Sequence, residues 1–303
     1  MNVVCYNESI ETKRRFIMKR FFHKVGQILF SCLPILITIG IQVAVTIPVT
    51  VYYFWFLGYK GKLPTTGQNM YQWLIHMMTH SDYAIYVTAV WGLVSLTLFC
   101  IWYRRVHNYK EDYPVKRTLT PYSVGGLILM VVGLQLSINY FYSILEPLMP
   151  GIFEKYNDVL SFPDSTPVGY AVLIIYGVIV APIHEEFLNR GVTLHYANKA
   201  MPFWLANLFQ ALLFGLLHMN LVQSSYAFLV GIVIGYIYHT AKNIWIPIFF
   251  HMAFNLFGTM VPLMPLKNST TSAYVLVGVI GLTVAISGCI LYRTSIRIQE
   301  GAM

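Results

Sequence analysis

Between Gly26 and Phe56 the chain runs without one charged side chain. That is longer than a water-soluble domain can hide in one helix, and long enough for a tilted or kinked helix to cross hydrocarbon. Further apolar runs follow at Tyr83–Tyr103, Ser123–Leu145, Val168–Val192, Phe203–Met219, Val222–Thr240, Ile244–Leu263 and Tyr274–Tyr292. In lipid the backbone must satisfy its own polar groups, so runs of this length can only be helices. The short alternating segments of a β-barrel are missing. With 57% hydrophobic and 11% charged residues, the expected fold class is all-α, a polytopic membrane protein of about eight transmembrane helices.

Loop charge orients these helices, because Lys and Arg accumulate in cytoplasmic connections. The N-terminal arm carries Lys13, Arg14, Arg15, Lys19, Arg20 and Lys24, and the second loop Arg104, Arg105, Lys110, Lys116 and Arg117. The first loop has only Lys60 and Lys62, and the third sets Glu146, Glu154, Asp158 and Asp164 against Lys155. Both termini are therefore expected in the cytoplasm, with Arg293 and Arg297 on the tail, in a multi-pass protein of a prokaryotic plasma membrane. The net charge of +8 belongs to membrane flanks and anionic lipid, and no separate basic stripe points to nucleic acid. The first apolar run continues through Pro34 and Pro48 past the length of a signal core, so it is read as a retained helix. Cys5, Cys32, Cys100 and Cys289 show no CxxC spacing and suggest neither a disulfide framework nor a thiolate zinc site.

Ionisable side chains at membrane depth are costly and mark function. Their distribution divides the chain into a basic arm (1–25), a scaffold or substrate-access wall of three helices (26–165), a catalytic core (166–265) and a last helix with its tail (266–303). The fourth run ends in Ala181-Pro182-Ile183-His184-Glu185-Glu186-Phe187-Leu188-Asn189-Arg190-Gly191. On a helix Glu186 and Arg190 stand four apart in the order that favours an ion pair, while Glu185, rotated by about 100°, is left to face a cavity. The fifth run contributes Phe214 and His218, and the seventh His251 and Asn255, each pair one turn apart. The spacing of Gly231 and Gly235 in the sixth run reads as close helix packing.

The three elements, EExxxR at Glu185–Arg190, FxxxH at Phe214–His218 and HxxxN at His251–Asn255, resemble the motifs of the CAAX-processing and bacteriocin-processing (CPBP, or Abi) intramembrane endopeptidases. The resemblance covers about residues 165–260 and departs at Asn189, where an aromatic residue is expected. It implies peptide-bond hydrolysis in a membrane-associated substrate by a water activated with Glu and His.

The residue types suffice for that chemistry. Amide hydrolysis needs a base for the water, donors for the oxyanion and an acid for the leaving amine. Glu185 can be base and later proton donor, His218 can hold the same water, and His251 with Asn255 can donate to the oxyanion. Glu186, Arg190 and Phe214 then act as structural support. No metal is required on this reading. Zinc bound by Glu185, His218 and His251 is the alternative, since two His and a carboxylate form a known catalytic shell; its only second-shell carboxylate is Glu186, which the spacing assigns to Arg190. The zincin helix motif is broken because Leu188 stands where its second His belongs. No nucleophile motif competes, as Ser224 and Ser225 lack a base partner. A non-proteolytic transporter or bacteriocin-immunity protein with the same polar cavity is the other function class. Straight helices would also leave Glu185 and His218 near opposite membrane faces, so a kink at Pro182 or a broken helix is expected.

Overall fold

The structure, a computed structural model, describes residues 2–61, 67–108, 112–161, 165–260 and 270–301. Lys62, Lys110, Asp164 and the end of the seventh apolar run at Leu263 lie outside them. The described residues form α1 (Asn2–Tyr59), α2 (Gly67–His80), α3 (Asp82–Val106), α4 (Pro121–Leu145), α5 (Pro150–Leu160), α6 (Pro167–Ala200), α7 (Phe203–Leu216), α8 (Leu221–Ala241), α9 (Trp245–Met260) and α10 (Thr271–Gly301), and contain no strand. The protein is an all-α, multi-pass membrane protein. Large apolar side chains such as Leu29, Trp55, Ile128 and Leu282 remain exposed on the outer faces of the helices, the surface that hydrocarbon covers.

Among the described residues eight apolar helices are present, but they are not eight equal spans. Six are long and apolar enough to cross a membrane, while α7 and α9 are shorter apolar helices. The expected span Phe203–Met219 stops at Leu216, so His218 sits just past the helix end instead of within its last turn. Met219 adopts a left-handed conformation with φ 51°, which ends α7, and Asn220 caps α8 by accepting from the Val222 and Gln223 amides. Cap chemistry thus places His218 on a tight reversal.

The helix that carries Glu185 and Glu186 differs in the opposite sense. α6 is one apolar run of 34 residues, and Glu185 falls near its middle, which removes most of the expected separation from His218. Two stretches of α6 widen into π-helical turns, Tyr176–Val180 and Phe187–Thr193, on either side of the α-helical Ala181–Glu186. Pro182 lacks an N–H and crowds the preceding turn, and the widened turn directly before it is where α6 accommodates that defect without breaking.

Two apolar clusters hold the helices around this element. Met130, Val131, Ile234, Ile237, Phe250, Phe254 and Tyr292 join α4, α8, α9 and α10. Phe99, Tyr103, Phe187, Leu188, Val192 and Ile248 join α3, α6 and α9. Gly231 and Gly235 do bring α8 onto α7: a Cβ at Gly231 would stand 3.2 Å from Ala211, and one at Gly235 would occupy the place of the Asn207 carboxamide.

Candidate active site

Glu186 and Arg190 are fully buried, and Arg190 Nη1 donates to Glu186 Oε1 at 2.8 Å. The second arm of the guanidinium, Nη2, donates to the Gly231 carbonyl at 2.9 Å, and the guanidinium lies 5.1 Å from the centre of the Phe214 ring. The cation is therefore paired with a carboxylate, hydrogen-bonded through both terminal nitrogens and stacked, while its Nε and Glu186 Oε2 are buried with no hydrogen-bond partner among the described residues. Gln210 reinforces the same carbonyl at 3.1 Å. This unit ties α6, α7 and α8 together.

Glu186 has a second partner that the sequence spacing did not anticipate. His251 Nδ1 donates to the same Oε1 at 2.8 Å, so the carboxylate serves Arg190 and orients an imidazole. A histidine held through Nδ1 by a carboxylate presents Nε2 to whatever lies beyond. Beyond it is Glu185, whose Oε2 is 3.6 Å from His251 Nε2. The two neighbouring glutamates thus diverge: Glu186 is sealed, whereas Glu185 lines an internal cavity of about 530 Å³.

His218, His251, Phe214 and Asn255 line that cavity too. His218 Nδ1 donates to the Phe214 carbonyl at 2.9 Å, leaving its Nε2 outward. The Phe214 ring meets both imidazoles edge-on, at 5.0 Å for His218 and 5.9 Å for His251. Asn255 Nδ2 donates to Gly177 O at 2.8 Å, in the first widened turn of α6, and its second N–H remains. Asn189, the departure from the family pattern, is buried and donates to the Glu185 carbonyl at 2.8 Å, bracing the backbone of the proposed base.

All seven residues singled out by motif therefore belong to one region: Glu185, Phe214, His218, His251 and Asn255 around the cavity, Glu186 and Arg190 behind it. Among the described residues no group of three or more His, Cys, Asp and Glu side chains is placed to hold a metal ion. The cavity also has a wall that motif reading passed over, made by Thr88 of α3, Gln135, Asn139 and Tyr142 of α4 and Tyr156 of α5. Neutral carboxamides inside an apolar span were the available signal.

A family profile described as "Type II CAAX prenyl endopeptidase Rce1-like" matches residues 167–257, the stretch that carries every motif residue. The "Putative membrane peptidase YdiL" of Bacillus subtilis (strain 168) is 31% identical over 97 residues, 32% of this chain and 40% of that protein. An "Uncharacterized 24.3 kDa protein" of Escherichia coli is 29% identical over 180 residues, 56% of this chain and 77% of that protein. The match thus spans less than half the length of the Bacillus relative. No solved structure matches the chain. Residues 167–257 thus resemble the CAAX-type membrane protease family.

Proposed function

We propose that the protein is an intramembrane endopeptidase that cleaves a membrane-associated peptide by direct attack of a water. The observation that carries this reading is the 3.6 Å approach of Glu185 Oε2 to His251 Nε2 on the wall of a cavity, backed by a sealed ion pair. Water donates one hydrogen to Glu185 and the other to His218 Nε2. Glu185 takes the proton as the oxygen attacks the peptide carbonyl. The oxyanion accepts from His251 Nε2–H and from the second N–H of the Asn255 carboxamide, and Glu185 returns its proton to the leaving amine. In this scheme His251 serves Glu186 through Nδ1 and the oxyanion through Nε2.

The scheme needs no metal, and the same residues decide the point experimentally. Purified protein in lipid is incubated with a peptide library, and new termini are read by mass spectrometry. Cleavage by the wild type, lost in Glu185→Gln and retained after exhaustive chelation, supports the reading. Cleavage abolished by chelation and restored by stoichiometric zinc would turn Glu185, His218 and His251 into ligands. Absence of any cleavage would favour a non-proteolytic use of the cavity.

A further inference from the structure

Part of the cavity wall is built by α4, outside residues 167–257, and the scheme above gives it no part. Gln135 Nε2 donates to the Phe254 carbonyl at 2.8 Å. A backbone carbonyl only accepts, so this contact fixes which end of the Gln135 carboxamide faces α9 and turns Oε1 the other way. Asn139 Nδ2 donates to that Oε1 at 2.9 Å and to the Gln135 carbonyl at 2.8 Å. Both partners are oxygens, so Asn139 is oriented in its turn. Its Oδ1 ends the relay and accepts no hydrogen bond among the described residues, while the side chain borders the cavity. Gly258 admits Gln135 to the α9 backbone, since a Cβ there would stand 2.7 Å from Nε2.

An oriented acceptor and the proposed donors of His251 and Asn255 thus line the same cavity. An extended peptide has matching polarity, because its C=O and N–H groups leave opposite edges of the backbone. The rest of the lining suits an uncharged chain. Among the described residues Glu185 is the only carboxylate there and no Lys or Arg joins it; His218, His251, tyrosines, phenylalanines, carboxamides, threonines and aliphatic groups supply the remainder. We propose that Asn139, oriented by Gln135, is a peptide-binding subsite whose Oδ1 accepts a backbone N–H from an uncharged stretch of substrate beside the bond that Glu185 addresses. The proposal rests on the peptidase reading above.

Binding is measured in the Glu185→Gln background in lipid nanodiscs, by anisotropy of a pool of dansylated, uncharged octapeptides, each accompanied by its series of single N-methylated analogues. Asn139→Ala should weaken binding of the retained peptide roughly threefold to tenfold, the worth of one neutral hydrogen bond. One N-methyl position should cost a similar factor in the parent protein and nothing in Asn139→Ala. Penalties that persist unchanged in Asn139→Ala, or failure of every peptide in the pool to bind, would overturn the subsite. A wild type that binds with this coupling and cleaves nothing sinks the peptidase reading alone; one that cleaves without the coupling sinks the subsite alone.

Discussion

Two helix seams in this protein are held by opposite means. Along α4 and α10 the backbones touch: a Cβ at Gly126 would stand 2.7 Å from Gly288 O, and one at Gly133 would stand 2.3 Å from Ala285 N. Where α6 meets α7, α8 and α9, cohesion runs instead through a fully buried Arg190, a fully buried Glu186, His251 and the Gly231 carbonyl. Lipid tails are as apolar as leucine, so helices in a bilayer associate through close contact or through polar groups without another partner. The first seam is sensitive to volume and the second to charge. Only the second can lend a polarised face to a cavity, which is why the chemistry-bearing residues gather there.

Substitutions can break this contrast, and within the polar seam they separate chemistry from support. The largest effect is expected for Glu185→Gln, since a positioned base contributes about 100-fold to 10,000-fold. Initial rates on reconstituted protein should fall by that range, while the yield of monodisperse protein stays level because Glu185 faces the cavity. A matching fall in yield would place Glu185 with the supporting residues.

Arg190→Ala should act the other way. It strands Glu186 in a sealed site, at about 3–5 kcal/mol, to be read as a lowered unfolding midpoint in detergent and reduced folded yield. Arg190→Lys retains the charge but not the fork that reaches both Glu186 and Gly231, and should recover only part of the loss. An unchanged midpoint in Arg190→Ala would remove the distinction between the sealed and the open glutamate.

Asn255→Ala tests the donor side. Loss of one oxyanion donor costs about 100-fold to 1,000-fold in kcat, with KM nearly constant. A change confined to KM would reassign Asn255 to holding the widened turn at Gly177.

Gly133→Ala should have the smallest effect. A methyl group pressed against the Ala285 backbone costs roughly 1–3 kcal/mol through overpacking, read as a lower unfolding midpoint with the rate per folded molecule unchanged. Gly133→Ser, similar in size but polar, should match the alanine variant. A serine variant much worse than alanine would show that polarity governs this seam as well.

The pairing of Glu186 with Arg190 was legible because it is local, four residues apart on one helix face. The turning of Glu185 toward the cavity follows from the same geometry. His218, expected in the last turn of the fifth run, stands just past it, on the reversal that the Asn220 cap marks in the sequence. Gln135 and Asn139, also four apart, carry no charge, yet neutral carboxamides in an apolar span follow the same logic as ionisable groups.

Sequence alone determined that this chain is an all-helical membrane protein and which side chains are too polar for hydrocarbon to leave idle, because both follow from the transfer cost of single groups and the periodicity of one helix. Tertiary structure decided the partnerships: His251 with Glu186 across 65 positions, Gln135 with Phe254 across 119, and the shortness of α7 and α9 against the unbroken length of α6. Such contacts depend on where separate helices end and how closely their backbones approach, and no local pattern encodes either.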